Sequence, residues 1–125
     1  MRKHLLVTGS LLMLVGLVHG FVPDITPNRS LGVSAHVAAI QNGTILVVLG
    51  VAWRYTSLGK FDLWAAWMNI IGMYGLWTGL FLAAAMGLLS PNASALTASI
   101  QIVASILVTL GIAFALYGFV RHHDT

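Results

Sequence analysis

Hydrophobic positions gather into four long runs separated by short polar breaks, at about 5–22, 31–53, 63–89 and 95–120. Each run meets or approaches the roughly 20 apolar residues that a helix needs to cross a hydrocarbon core about 30 Å thick. The first break, PDITPNRS at 23–30, holds two prolines without backbone donors and the turn formers Asp24, Asn28 and Ser30. Ser30 or Ser34 is the expected N-cap of the second helix. The second break, RYTSLGKFD, places Asp62 at the start of the third helix, where negative charge suits the helix dipole. SPNAS at 90–94 is a short turn, and RHHDT a hydrophilic tail. The fold expected is all-α: a single domain over 1–125, forming a four-helix transmembrane bundle.

Residues 1–22 share the basic start and apolar centre of a secretory leader, but no small-x-small motif follows the run. A retained first helix is expected, with Gly9, Gly16 and Gly20 permitting close packing. Gly72, Gly75 and Gly79 play the same part in the third helix.

Composition agrees with this pattern. The chain is 58% hydrophobic and only 7% charged, against roughly a quarter charged in soluble domains. Its net charge of +3 does not point to nucleic acid, because the cations lie at helix ends and form no stripe. Arg2, Lys3, Arg54, Lys60 and Arg121 fall on one side of a four-span topology and Arg29 alone on the other. That asymmetry predicts cytoplasmic termini, and the membrane expected is a bacterial inner one. Without cysteine there are no disulfides, iron–sulfur clusters or thiol catalysis. Without glutamate, and with Asp24, Asp62 and Asp124 all outside the runs, the embedded carboxylate of a proton-coupled exchanger is missing.

Polar residues inside the runs are the remaining candidates for chemistry. His4, His122 and His123 belong to the basic surface as solvated side chains, and His19 lies near the outer end of helix 1. His36 sits about 7 Å into helix 2. Within about 60° of its direction lie Ala39, Ile40, Gly43, Val47 and Gly50. Such a flat apolar strip beside a neutral imidazole suits a planar macrocycle bound through its metal, with Ala39 and Gly43 as its wall; an ordinary helix–helix contact has the same pattern. Asn42 is about 120° and 9 Å from His36 along one helix, so a site using both lies most simply between subunits. Gln41 and Asn42 would otherwise hydrogen-bond across helices. Trp67, Ile71, Tyr74 and Thr78 share a face of helix 3. Near mid-membrane the Tyr74 hydroxyl needs a partner, either a neighbouring Asn or a substrate oxygen.

TPNRSLGVSAHVAAIQNGTILVVLG followed by IGMYGLW resembles the hydroxylaminobenzene mutase family and, more distantly, styrene oxide isomerase. SAHVAAIQNG carries the clearest similarity, through a His and an Asn six apart and the Gly that follows. IGMYGLW adds Gly72, Tyr74 and Trp77. The resemblance implies a homotrimer with haem b at subunit interfaces, the ferric iron acting as a Lewis acid. His36 would be the iron ligand, with His19 a possible second, and Asn42 and Tyr74 would address the substrate oxygen. Ala66 stands where the isomerase has an acidic residue, and Leu76 where the mutases carry an Asn.

The activity so implied is an intramolecular isomerisation of a small aromatic substrate arriving through the bilayer, aryl hydroxylamine to aminophenol. The alternative is rearrangement of an aryl epoxide to an aldehyde. Two other classes stand beside these: an electron carrier with His19 and His36 on one haem, and a non-catalytic membrane adaptor.

Overall fold

The computed structural model describes residues 1–22 and 25–123, the last without its side chain. Pro23, Asp24, Asp124 and the His123 side chain, each given a turn or surface role above, lie outside the described residues.

Four helices follow in order: α1 (Arg2–Gly20), α2 (Arg29–Ala52), α3 (Asp62–Ala85) and α4 (Ala95–His123). All four are long and apolar enough to cross a membrane. Short 3₁₀ turns at Trp53–Tyr55, Gly59–Phe61 and Pro91–Ala93 fill the connections. The chain is an integral membrane protein, an all-α four-helix bundle.

Several helix ends differ from the apolar runs, because hydrogen bonding and not hydropathy terminates a helix. α1 begins at Arg2 and α4 continues to His123, since basic residues can extend a helix into the interface. α3 stops at Ala85 instead of near 89, and Gly87 then takes a positive φ of 69°. The cap of α2 is Asn28, not Ser30 or Ser34: its side chain accepts from the Leu31 N–H at 3.1 Å. The Ser34 hydroxyl instead donates to the Ser30 carbonyl within the helix.

Glycines close the two hairpins. A Cβ on Gly9 would stand 2.7 Å from the Gly43 carbonyl oxygen, and one on Gly16 2.9 Å from the Ala39 Cβ, so α1 and α2 touch backbone to backbone. Gly72, Gly75 and Gly79 face Val108, Ala104 and Gln101 of α4 in the same way. α2 meets α3 to join the hairpins, and Leu5, Leu12, Leu46 and Met73 are fully enclosed in the core. At one end of the bundle Trp53 Nε1 donates to the Asp62 carboxylate at 2.6 Å, tying the end of α2 to the start of α3. At the other, Asn28 Nδ2 donates to the Leu88 carbonyl. Arg2, Lys3, Arg54, Lys60 and Arg121 gather at the Trp53 end, and Arg29 lies at the Asn28 end.

Candidate functional site

His36 is positioned from below by α1. Its Nδ1 lies 2.5 Å from the Gly16 carbonyl oxygen. A carbonyl only accepts, so Nδ1 carries the proton and Nε2 keeps a free lone pair. The ring rests on Gly20, where a Cβ would meet its Cε1 at 2.7 Å. His19 stands beside it, ring centres 6.2 Å apart and planes nearly perpendicular. Only 6% of His19 is exposed, and both its ring nitrogens are buried without a hydrogen bond. Phe81 of α3 meets His19 edge-on at 5.6 Å, and Trp77 packs 5.6 Å from Phe81 with its own N–H unpaired. A cavity of about 70 Å³ opens among His19, Gly20, Gly32, Val33 and His36.

Ala39 and Gly43, read as a wall beside His36, are buried against α1 instead. A Cβ on Gly43 would strike Met13 Cγ at 2.5 Å and the Gly9 carbonyl at 2.6 Å. Their strip is the α1–α2 seam, filled within the protomer, and a macrocycle cannot lie along it there.

Asn42 of α2 meets α3 at the turn that carries Tyr74. Asn42 Nδ2 donates to the Met73 carbonyl at 3.1 Å, one of the two expectations for this residue, a hydrogen bond across helices. The Tyr74 hydroxyl donates to the Thr8 carbonyl of α1 at 2.6 Å. Its partner is thus a backbone oxygen and not an Asn. Thr8 and Gly16 are eight residues apart on α1, or about 12 Å of rise. The Asn42–Tyr74 pair and His36 therefore occupy different levels of one protomer.

Three polar positions escaped the reading of the sequence. Asn69 is fully buried, its Nδ2 donating to Ala65 and its Oδ1 unpaired. Gln101 Nε2 donates to the Leu76 carbonyl at 2.9 Å. Trp77 was noted only as part of a motif. Each of the two amides is the one carboxamide in its long apolar run, which was the available signal.

Among the described residues no three His, Cys, Asp or Glu side chains come together as a metal site. One imidazole with a bare Nε2 and an anchored Nδ1–H is a complete protein contribution only where a macrocycle supplies the other donors, so His36 fits a haem iron. The larger hollows, such as one of about 310 Å³ between Ile71 of α3 and Val103 of α4, are apolar grooves away from the imidazoles.

Four spans that close through glycine seams and shelter two imidazoles at one end define a small polytopic membrane protein with an intramembrane histidine site. The chain belongs to the styrene oxide isomerase family, whose model matches residues 1–121. It is 35% identical over 88 residues to hydroxylaminobenzene mutase HabA of Ectopseudomonas oleovorans, covering 70% of this chain and 65% of that protein. Hydroxylaminobenzene mutase HabB of the same organism is 34% identical over 88 residues, covering 70% of this chain and 54% of the relative. The matches thus span less than two thirds of the length of either relative. No solved structure gives a significant match.

Proposed function

We propose that this chain is a membrane-bound intramolecular isomerase that converts an aryl hydroxylamine to an aminophenol, with haem b bound through His36 Nε2. One observation carries the reading: the Gly16 carbonyl fixes the His36 tautomer that leaves Nε2 free. The bound group would supply a ferric Lewis acid that polarises the substrate N–O bond. The chain's own residues orient and shield. Gly16 and Gly20 hold the imidazole, while Asn42 and Tyr74 offer hydrogen-bond donors to the oxygen as charge develops on it. To do so each must leave or share its present carbonyl, Met73 or Thr8. The apolar walls exclude water that would trap a cationic intermediate.

The offset of about 120° around α2 between His36 and Asn42 supports a site shared between copies in a homotrimer, with His36 of one copy facing Asn42 and Tyr74 of the next. The five-cation end would face the cytoplasm of a bacterial cell, by the positive-inside rule. The cavity between His19 and His36, about 70 Å³, is too small for a tetrapyrrole, so a haem held by His36 would extend beyond one protomer. The family's description favours a second substrate, an aryl epoxide opened to an aldehyde by the same polarisation of oxygen.

The test uses detergent-purified protein with phenylhydroxylamine labelled with ¹⁸O, and separately with styrene oxide. Aminophenol retaining the label, together with a high-spin ferric spectrum lost in His36→Ala, is the expected result. Aldehyde from styrene oxide alone would select the epoxide reading. Turnover of neither substrate by haem-loaded protein would overturn both.

A further inference from the structure

Lys60 and Phe61 are held against the side of α4 by a clamped connection. The Ser57 N–H donates to the Gly118 carbonyl at 3.1 Å. Leu58 is buried over the same glycine, where a Cβ would stand 2.8 Å from its Cγ. Gly59 then turns the chain with a positive φ of 57°, a conformation that favours glycine. Beyond it the Phe61 ring stacks on Phe114 of α4, centres 6.1 Å apart and planes 20° apart. The Lys60 ammonium stands over the Phe61 ring at 5.3 Å. A cation, two stacked rings and a helix thus make one continuous surface.

That surface borders a groove. An open hollow of about 380 Å³ is lined by Leu110, Ala113, Phe114 and Tyr117, the small Ala113 leaving space between larger neighbours. Leu110, Phe114, Tyr117 and Arg121 follow one another at four, three and four residues, so they share one face of α4. Measured from Arg121, Tyr117 lies about 6 Å and Leu110 about 16 Å deeper along the helix. One leaflet of hydrocarbon is about 15 Å thick, half of the bilayer core. The groove therefore runs the depth of a single leaflet. It is apolar along its length, with a guanidinium at its mouth and an ammonium beside it.

Charge selects the occupant. Asp62 is the one acidic side chain among the described residues, and its carboxylate accepts from Trp53 Nε1. Neither Lys60 nor Arg121 has an ion-pair partner among those residues. A zwitterionic lipid brings a cation of its own to this mouth, whereas an anionic lipid brings only the charge that is lacking. We propose that the groove is a binding site for an anionic phospholipid, its phosphate held by Lys60 and Arg121 and one acyl chain lying along Tyr117, Phe114 and Leu110. The bound lipid bridges the turn before α3 to the end of α4. The site stands apart from the isomerase reading, because Lys60 and Arg121 lie at the Trp53 end of the bundle, away from the two imidazoles.

The test uses full-length protein in a neutral detergent with equal amounts of phosphatidylglycerol and phosphatidylcholine of the same acyl chains. Native mass spectrometry then counts the lipid retained. Phosphatidylglycerol should be kept in preference, and Lys60→Gln and Arg121→Gln should each weaken its binding about fivefold. Ala113→Trp fills the groove without altering charge and should abolish the preference. Arg2→Gln combined with Lys3→Gln removes two cations of the same end from α1 and should leave binding unchanged. All five positions are exposed, so the fold is not at stake. Equal retention of the two lipids, or an equal loss in the α1 variant, would reduce the effect to surface charge and overturn the site. Undiminished preference in Ala113→Trp would overturn the groove as the seat of the acyl chain.

Discussion

Tyr74 and Thr8, 66 residues apart, are joined by one hydrogen bond of 2.6 Å from the phenol of α3 to a carbonyl of α1. This bond makes the tyrosine at once a link between the hairpins and a donor already engaged. A structural role and a catalytic one therefore predict different losses. Tyr74→Phe should cost about 1 kcal/mol of stability, the net worth of a neutral hydrogen bond. If the phenol also addresses substrate oxygen, the rate constant kcat should fall about 100-fold. Parallel thermal unfolding and steady-state kinetics separate the two, and a loss of stability without a loss of rate leaves Tyr74 as a latch.

The His36 ring has no room to share with a side chain at position 20. Gly20→Ala would set a Cβ 2.7 Å from Cε1 and 3.2 Å from Nδ1. The ring must then tilt away from the Gly16 carbonyl. In haem-loaded protein the expectation is an altered axial-ligand signature in the electron paramagnetic resonance spectrum and at least a tenfold drop in activity. The α1–α2 seam should stay intact, as judged by unchanged circular dichroism.

Gly43→Ala probes the seam itself. Its new methyl group would meet Met13 side-chain carbon and Gly9 backbone oxygen at 2.5 and 2.6 Å. Backbone cannot step aside as a side-chain tip can, and overpacking of this kind typically costs about 1–3 kcal/mol. A lowered melting temperature in detergent is expected. An unchanged one would mean that α1 and α2 are less tightly joined than their glycines require.

Asn69 gives a prediction of opposite sign. It is wholly buried, with one amide atom paired and the other not. Leucine has nearly the same shape and carries no unpaired acceptor. Asn69→Leu should be neutral or stabilising by about 1 kcal/mol, measured by thermal unfolding. A marked loss of stability would show that the amide has a partner, such as a buried water.

The number and type of elements were legible because a bilayer demands long apolar helices and the chain contains four such runs. The seams were legible too, since Gly9, Gly16, Gly72 and Gly79 do what small residues do between helices. What a single helix pattern could not reveal was the occupant of each face. Ala39 and Gly43 present the same flat strip to a ring or to a neighbouring helix, and α1 takes the place. His19 looked like a residue near the water, yet Phe81 and His36 enclose it. The cap of α2 moved to Asn28 because its side chain serves both the start of α2 and the turn that follows α3, and only the first is local in sequence.

That amide has a consequence for biosynthesis. The carbonyl side of Asn28 completes a bond to Leu31 as soon as the next turn of chain exists, whereas its nitrogen side waits for Leu88, 60 residues later. Its backbone N–H likewise waits for the Ala84 carbonyl. As the chain leaves the ribosome, the first hairpin can be capped and inserted while holding two open valences for the second. Asn28 thus acts as a register mark, telling a late helix where to stop against an early one.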